Sequence, residues 1–260
     1  MISAGIDVGS LTTKIVLLKD GAMMLHAIKP TGMNILQVVR SLLDEALGRL
    51  SLRFEDVNRI IATGYGRISI PFAEKQVTEI TCNAKGVHHL YPQVRMVLDI
   101  GGQDTKVIKL AEGGRVENFA MNDKCAAGTG RFLEVAAQTM EVNVEDLGVL
   151  SSKASTAVEI SSTCTVFAQT EIVSLIARQV SRENIIAGLH EAIARRVYGL
   201  FSGLSPEGEV AMTGGVAKNS GVVKALENLI RRSLLIPENP QVVTALGAAL
   251  IGCGQPFTKN

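Results

Sequence analysis

The chain has 260 residues, enough for two compact lobes, and its 47% hydrophobic and 20% charged residues suit a folded α/β protein and exclude a disordered one. Its formal net charge is +1, with no basic run, no Trp and only 4% aromatic residues, so neither charge nor base stacking favours a nucleic-acid partner. No stretch approaches the roughly 20 apolar residues of a membrane span. The first residues enter a strand-like stretch carrying Asp7, without a basic leader, so no secretory signal and a cytoplasmic location are expected.

Residues 3–8 read as an apolar strand, Gly9-Ser10 as a turn, and 12–18 as a second strand rich in β-branched residues, closed by Lys19-Asp20-Gly21. Residues 33–50 carry Ile35, Val38, Val39, Leu42, Leu43, Ala46 and Leu47 at helical spacing. Residues 57–63 form a short apolar strand ending in Gly64-Tyr65-Gly66-Arg67. Another, 96–100, runs into Gly101-Gly102, and 105–110 continues after the turn. The second half is more helical, over 131–140, 166–177, 184–200 and 219–231, with a strand and turn at 209–215 before the last of these. Residues 244–253 form a small-residue helix.

The strand at 96–100 repeats the opening of the chain. Ile6-Asp7-Val8-Gly9-Ser10-Leu11-Thr12-Thr13-Lys14 returns as Leu98-Asp99-Ile100-Gly101-Gly102-Gln103-Asp104-Thr105-Lys106. Two such hairpins predict two related lobes: 1–94 completed by the helix at 244–260, and 95–243, with crossings at 91–95 and 237–243.

Each hairpin has the parts that a phosphate chain needs. Gly9, Ser10, Gly101 and Gly102 let backbone amides face an anion without a Cβ in the way. The hydroxyls of Ser10, Thr12 and Thr13 add donors, Lys14 adds a charge, and Leu11 completes the first turn. Asp7 and Asp99 close their strands where Mg²⁺ would be held through water, and Gln103 or Asp104 would position the attacking water. A third turn, Thr213-Gly214-Gly215, admits adenosine against its backbone, and Gln241 is assigned to the nucleotide with it. One such turn alone would serve geometry as readily as chemistry. Three together predict an ATP/ADP site in a two-lobed α/β fold of the actin/hexokinase-like (ribonuclease H-like) class, with a nucleotide cleft between the lobes. Rival motifs fail: there is no Gly-x4-Gly-Lys-Ser/Thr loop, and Ala126-Ala127-Gly128-Thr129-Gly130 lacks the dinucleotide spacing and a preceding apolar strand.

Four cysteines remain: Cys82, Cys125, Cys164 and Cys253. Cys125 and Cys164 each precede a helix-forming stretch, where free amides and the helix dipole favour a thiolate ligand. Two cysteines cannot complete a four-thiolate site, but a two-fold dimer presenting two from each chain would close a 4Fe–4S cluster on its axis. Shared zinc and plain burial in the core are the other uses of the same residues. His88-His89, His26 and His190 are expected to be structural, the first two as a surface pair.

Several segments together resemble the ATP-dependent activators of 2-hydroxyacyl-CoA dehydratases, related to ATPase subunits of benzoyl-CoA reductases. They are residues 5–10, 63–67, 99–104, 161–167, 213–216 and 245–249, and above all Asn122-Asp123-Lys124-Cys125-Ala126-Ala127-Gly128-Thr129-Gly130-Arg131-Phe132. The resemblance covers nearly the whole chain. It implies an oxygen-sensitive homodimer with one 4Fe–4S cluster held by Cys125 and Cys164 of both chains. It also implies ATP-driven delivery of one low-potential electron to a partner iron–sulfur dehydratase or reductase, from an upstream ferredoxin- or flavodoxin-like donor. Cys82 and Cys253 are left to packing. A sugar or acyl kinase of the same fold, or a non-catalytic nucleotide-dependent scaffold, are the alternatives; no acceptor pocket marks the kinase.

Overall fold

The structure is a computed structural model and describes residues 1–161 and 164–254. The chain begins with β1 (Ile2–Val8), β2 (Thr12–Lys19), β3 (Ala22–Pro30), α1 (Ile35–Arg49), β4 (Arg59–Thr63), β5 (Lys75–Gln76) and α2 (Glu79–Leu90). It continues with β6 (Val94–Ile100), β7 (Thr105–Leu110), β8 (Val116–Asn122), α3 (Gly130–Thr139), α4 (Leu147–Ser151), α5 (Thr165–Ala177) and α6 (Arg182–Ser202). It ends with β9 (Glu209–Thr213), α7 (Ser220–Ile230), β10 (Leu234–Leu235) and α8 (Val243–Gly252). Two compact units result: Met1–Val94 with Leu110–Glu117 and Gln241–Asn260, and Arg95–Lys109 with Asn118–Pro240.

The sheet of the first unit has the order β3-β2-β1-β4-β5, with β1 antiparallel to β2 and parallel to β4. Its inner strands are covered on both faces, which is why they read as near-continuous apolar runs rather than alternating ones. On one face Ala4, Ile6, Val8, Ile15 and Leu17 pack with Val39, Leu42, Leu43, Ala46 and Leu47 of α1. On the other, Val16 and Leu18 meet Ala245, Leu246 and Ala249 of α8. Each fully buried Leu or Ile contributes about 2 kcal/mol. Asn34 starts α1 by accepting from the Gln37 amide at 3.3 Å, replacing a bond the first helical turn lacks.

In the second unit the order is β10-β9-β6-β7-β8, with β6 antiparallel to β7. Read from the other edge this is β8-β7-β6-β9-β10, strand for strand the arrangement of the first sheet. The core joins Met96, Leu98 and Ile100 to Phe132 and Leu133 of α3, Ile185, Leu189 and Ile193 of α6, and Val222 and Leu226 of α7. Ser181 caps the 21-residue α6 through the Asn184 amide.

The main predicted elements form within a few residues of the expected bounds. α2, α4 and the two-residue strands β5 and β10 are additions, as are the longer strands β3 and β8. Both are edge strands, with Met23, Ile28 and Phe119 exposed, so neither carries the buried alternation by which a strand is read. His88 also departs from the expected surface pair: its ring packs where a Cβ on Gly114 would stand, and His89 alone is exposed.

Candidate nucleotide site and the cysteine segments

In the first hairpin the Gly9 amide donates to the Thr12 carbonyl at 3.1 Å, and Ser10 stands exposed at the tip. Leu11 and Thr12 are half-buried. Thr13 lies behind the turn, fully buried, its hydroxyl 3.0 Å from that of Thr31, which in turn donates to the Gly9 carbonyl at 2.8 Å. Asp7 and Lys14 are register partners on β1 and β2, and Lys14 Nζ lies 3.1 Å from Asp7 Oδ2. The lysine is thus already paired with the carboxylate beside which it would meet a phosphate.

A loop that the hairpin motif did not include lies against this strand end. Thr63 is opposite Asp7 on β4, and Gly64 follows with φ +83°. A Cβ at Gly64 would strike Asp7 Oδ1 and the Val8 carbonyl, so only glycine fits both the backbone angle and the approach. Arg67 holds the loop, donating to the Gly64 carbonyl at 3.0 Å and pairing with Glu79 of α2.

The second hairpin has the same construction with more bonds. The Gly101 amide donates to the Asp104 carbonyl at 2.9 Å. Lys106, on the register position equivalent to Lys14, lies 3.8 Å from Asp99 Oδ2 and 2.7 Å from Asp104 Oδ2. Gln103 is exposed at the tip, whereas Asp99 is 8% exposed. Against this strand end lies Thr213-Gly214-Gly215. The Thr213 hydroxyl donates to Asp99 Oδ1 at 2.8 Å, and Gly214, φ +86°, would run a Cβ into the Ile100 carbonyl. Its amide donates to the Pro240 carbonyl at 3.0 Å. Gln241 is the next residue and half-buried. Each acidic strand end is therefore faced by a Thr-Gly turn from a neighbouring strand, a second repeat laid over the first.

The turn of the second hairpin also holds the segment that carries Cys125. Gly101 and Gly102 carbonyls accept from the first α3 amides, Gly130 and Arg131, at 2.9 and 2.8 Å, and the Thr105 hydroxyl donates to the Gly128 carbonyl at 2.8 Å. Asn122 Nδ2 donates to the Cys125 carbonyl at 2.9 Å. Cys125 itself is half-buried. Cys164 is exposed at the N-cap position of α5, followed by exposed Val166 and Phe167. The stretch just before Cys164, residues 162–163, lies outside the described residues.

The other two cysteines sit differently. Cys82 is buried within α2, and burial pushes its thiol up to about 12. Cys253 lies 2.9 Å from the Ser3 hydroxyl. Among the described residues no group of three or more His, Cys, Asp or Glu gathers to hold a metal within one chain, and no helix is long and apolar enough to cross a membrane.

Two sheets of matching order, each opening with an Asp-tipped glycine hairpin, define an α/β protein of the actin/hexokinase-like class. A ROK family glucokinase from Streptomyces griseus, 14% identical, matches the fold with a TM-score of 0.60 over 97% of this chain and 99% of that one. Residues 4–252 match the BadF/BadG/BcrA/BcrD ATPase family, and the chain belongs to that family and is an ATPase. It is 46% identical over 251 residues, 96% of both chains, to the "Activator of lactoyl-CoA dehydratase" of Anaerotignum propionicum. A solved structure, the "Activator of the 2-Hydroxyisocaproyl-CoA Dehydratase from Clostridium difficile with bound ADPNP", is 43% identical. It matches with a TM-score of 0.93 over 97% of this chain and 94% of that one.

Proposed function

We propose that this ATPase is the activator of a partner iron–sulfur acyl-CoA dehydratase or reductase, and that two copies share a 4Fe–4S cluster held by Cys125 and Cys164 of each. The observation that carries the reading is the contrast among the thiols. Cys82 is sealed in a helix and half-buried Cys253 is bonded to the Ser3 hydroxyl, whereas Cys125 and Cys164 stand ahead of α3 and α5. Two thiolates are half of a four-thiolate set, so the donor chemistry fits a cluster completed by a second copy. Exposed Val166, Phe167, Val173 and Ile176 on α5 give that copy an apolar surface to cover. When bound, the cluster supplies one-electron transfer at low potential. The names of the related activators support a dehydratase as the acceptor, and a ferredoxin- or flavodoxin-like protein as the donor completes the proposal.

The chain's own residues supply the ATP chemistry. The Gly9 and Gly101 amides close their own turns, so the Ser10 and Gly102 amides and the hydroxyl of Thr12 would serve the phosphates, Lys14 exchanges its partner Asp7 for them, and Gly214, Gly215 and Gln241 serve the nucleoside. Asp7 and Asp99 would hold Mg²⁺ through water, with Gln103 and Asp104 beside the attacking water. Because Gly101, Gly102 and Thr105 are bonded to the Cys125 segment, a hairpin displaced by nucleotide carries that segment with it. ATP shifts such an arrangement only by its different affinity for the two states.

The test is anaerobic purification. The protein is expected to be brown and to carry about two iron atoms per chain, four per dimer, as a single shared cluster requires. Cys125→Ser is expected to lose the iron and keep nucleotide affinity. A fully loaded variant would refute the ligand assignment. ATP-dependent oxidation of the reduced protein by candidate dehydratases and reductases identifies the acceptor.

A further inference from the structure

We propose that Thr213 is a positioning residue for Asp99 rather than a contact for adenosine, and that it ties the Gly214-Gly215 turn to the acid of the phosphate hairpin. The proposal rests on the reading of Asp99 as an acid of the nucleotide site. Thr213 ends β9 and is fully buried, with its hydroxyl donating to Asp99 Oδ1 across a separation of 114 residues. The same carboxylate faces Lys106 through Oδ2 at 3.8 Å, and Lys106 is held by Asp104 at 2.7 Å. One oxygen of Asp99 is thereby anchored and the carboxylate plane fixed, leaving Oδ2 to the Lys106 side.

The approach is close on the backbone as well. Gly214 follows Thr213 with φ +86°, and a Cβ there would come within 3.1 Å of Asp99 Oδ1. The residue that admits the turn to the strand end and the residue that bonds the acid are neighbours. A nucleoside that shifts the Gly214-Gly215 turn therefore shifts the hydrogen bond that orients Asp99, within one unit of the fold. Buried hydroxyl donors to a carboxylate are worth more than ordinary hydrogen bonds, and removing one leaves the charge partly unsatisfied.

ATP hydrolysis by the isolated protein, without any acceptor enzyme, tests this. Thr213→Val keeps the shape and removes the donor; kcat is expected to fall by about tenfold or more, with KM for ATP changed less than about twofold. Thr213→Ser, which restores the hydroxyl, is expected to recover most of the rate, an outcome that mere filling of space would not give. Should the valine variant fail to fold, Thr213→Ala carries the same expectation.

An unchanged kcat in the valine variant, or a serine variant no better than valine, overturns the proposal. A rise in KM alone does so too, since it marks a nucleotide contact. Asp99→Asn separates the two levels. If that variant hydrolyses ATP normally, the assignment of Asp99 itself fails. If it is inactive while Thr213→Val is fully active, only the role of Thr213 is lost.

Discussion

His190 shows how one buried side chain makes the second unit sensitive to acid. It is 2% exposed on α6, and Nε2 lies 3.2 Å from Asn219 Nδ2. Asn219 Oδ1 is occupied by the Gly221 and Val222 amides at 3.0 and 3.1 Å, capping α7, so its amide nitrogen is the donor and His190 accepts as the neutral imidazole. Burial pushes the His190 pKa down to about 4. A histidine that unfolds to about 6.5 then binds its proton more readily in the unfolded chain. Stability from this group is complete above about pH 6.5 and is lost as pH falls towards 4, by about 3 kcal/mol in all. Urea unfolding at stepped pH should show that decline. His190→Gln, which can still accept from Asn219, is expected to flatten it; an equally steep decline in the variant would place the proton uptake elsewhere.

At the scale of elements, the second helical layer of the first unit depends on glycine in two facing helices. Gly247 of α8 lies against the Cys82 carbonyl of α2, and Gly86 of α2 lies against the Val243 carbonyl of α8; a Cβ at either would overlap backbone, which cannot turn aside as a side chain can. Alanine favours a helix over glycine by about 1 kcal/mol, whereas overpacking a closed contact costs about 1–3 kcal/mol and sometimes more. Sterics therefore win at Gly247. Gly247→Ala is expected to lower the urea midpoint by the equivalent of about 2 kcal/mol, while Gly199→Ala on α6, where a Cβ meets nothing within 4 Å, is expected to raise it by up to about 1 kcal/mol. Equal shifts of one sign would refute the steric account. Such contacts also mark what was legible in the sequence. Both hairpins could be read because Asp, glycine turn and lysine lie within nine consecutive residues of each repeat, and the inner strands because both of their faces are apolar. Thr63 and Thr213 were not readable as partners of Asp7 and Asp99, since sheet order alone brings β4 beside β1 and β9 beside β6. The edge strands β3 and β8 were silent for the opposite reason: too little of them is buried to leave a pattern.

For the whole molecule, the proposed cluster makes assembly and metal content one equilibrium. A chain that offers Cys125 and Cys164 to the cluster can satisfy only half of a four-thiolate set, so closing the set requires a second copy, and the free energy of ligation appears as free energy of dimerisation. The alternative source of association is the exposed apolar side of α5, where Val166, Phe167, Val173 and Ile176 are each at least 40% exposed. Four partly exposed side chains fall short of the extent of a stable interface, whereas ligation of a structural metal supplies on the order of 10 kcal/mol. Metal should therefore dominate. Removing iron anaerobically with a chelator is expected to weaken the dimer at least about a hundredfold, which sedimentation equilibrium across micromolar concentrations would resolve, and reconstitution with iron and sulfide is expected to restore it. Phe167→Asp in the loaded protein is expected to weaken association far less. If the iron-free protein stays dimeric at nanomolar concentration while Phe167→Asp separates the subunits, then apolar burial rather than shared ligation joins the two copies, and the thiols merely meet across an interface formed without them.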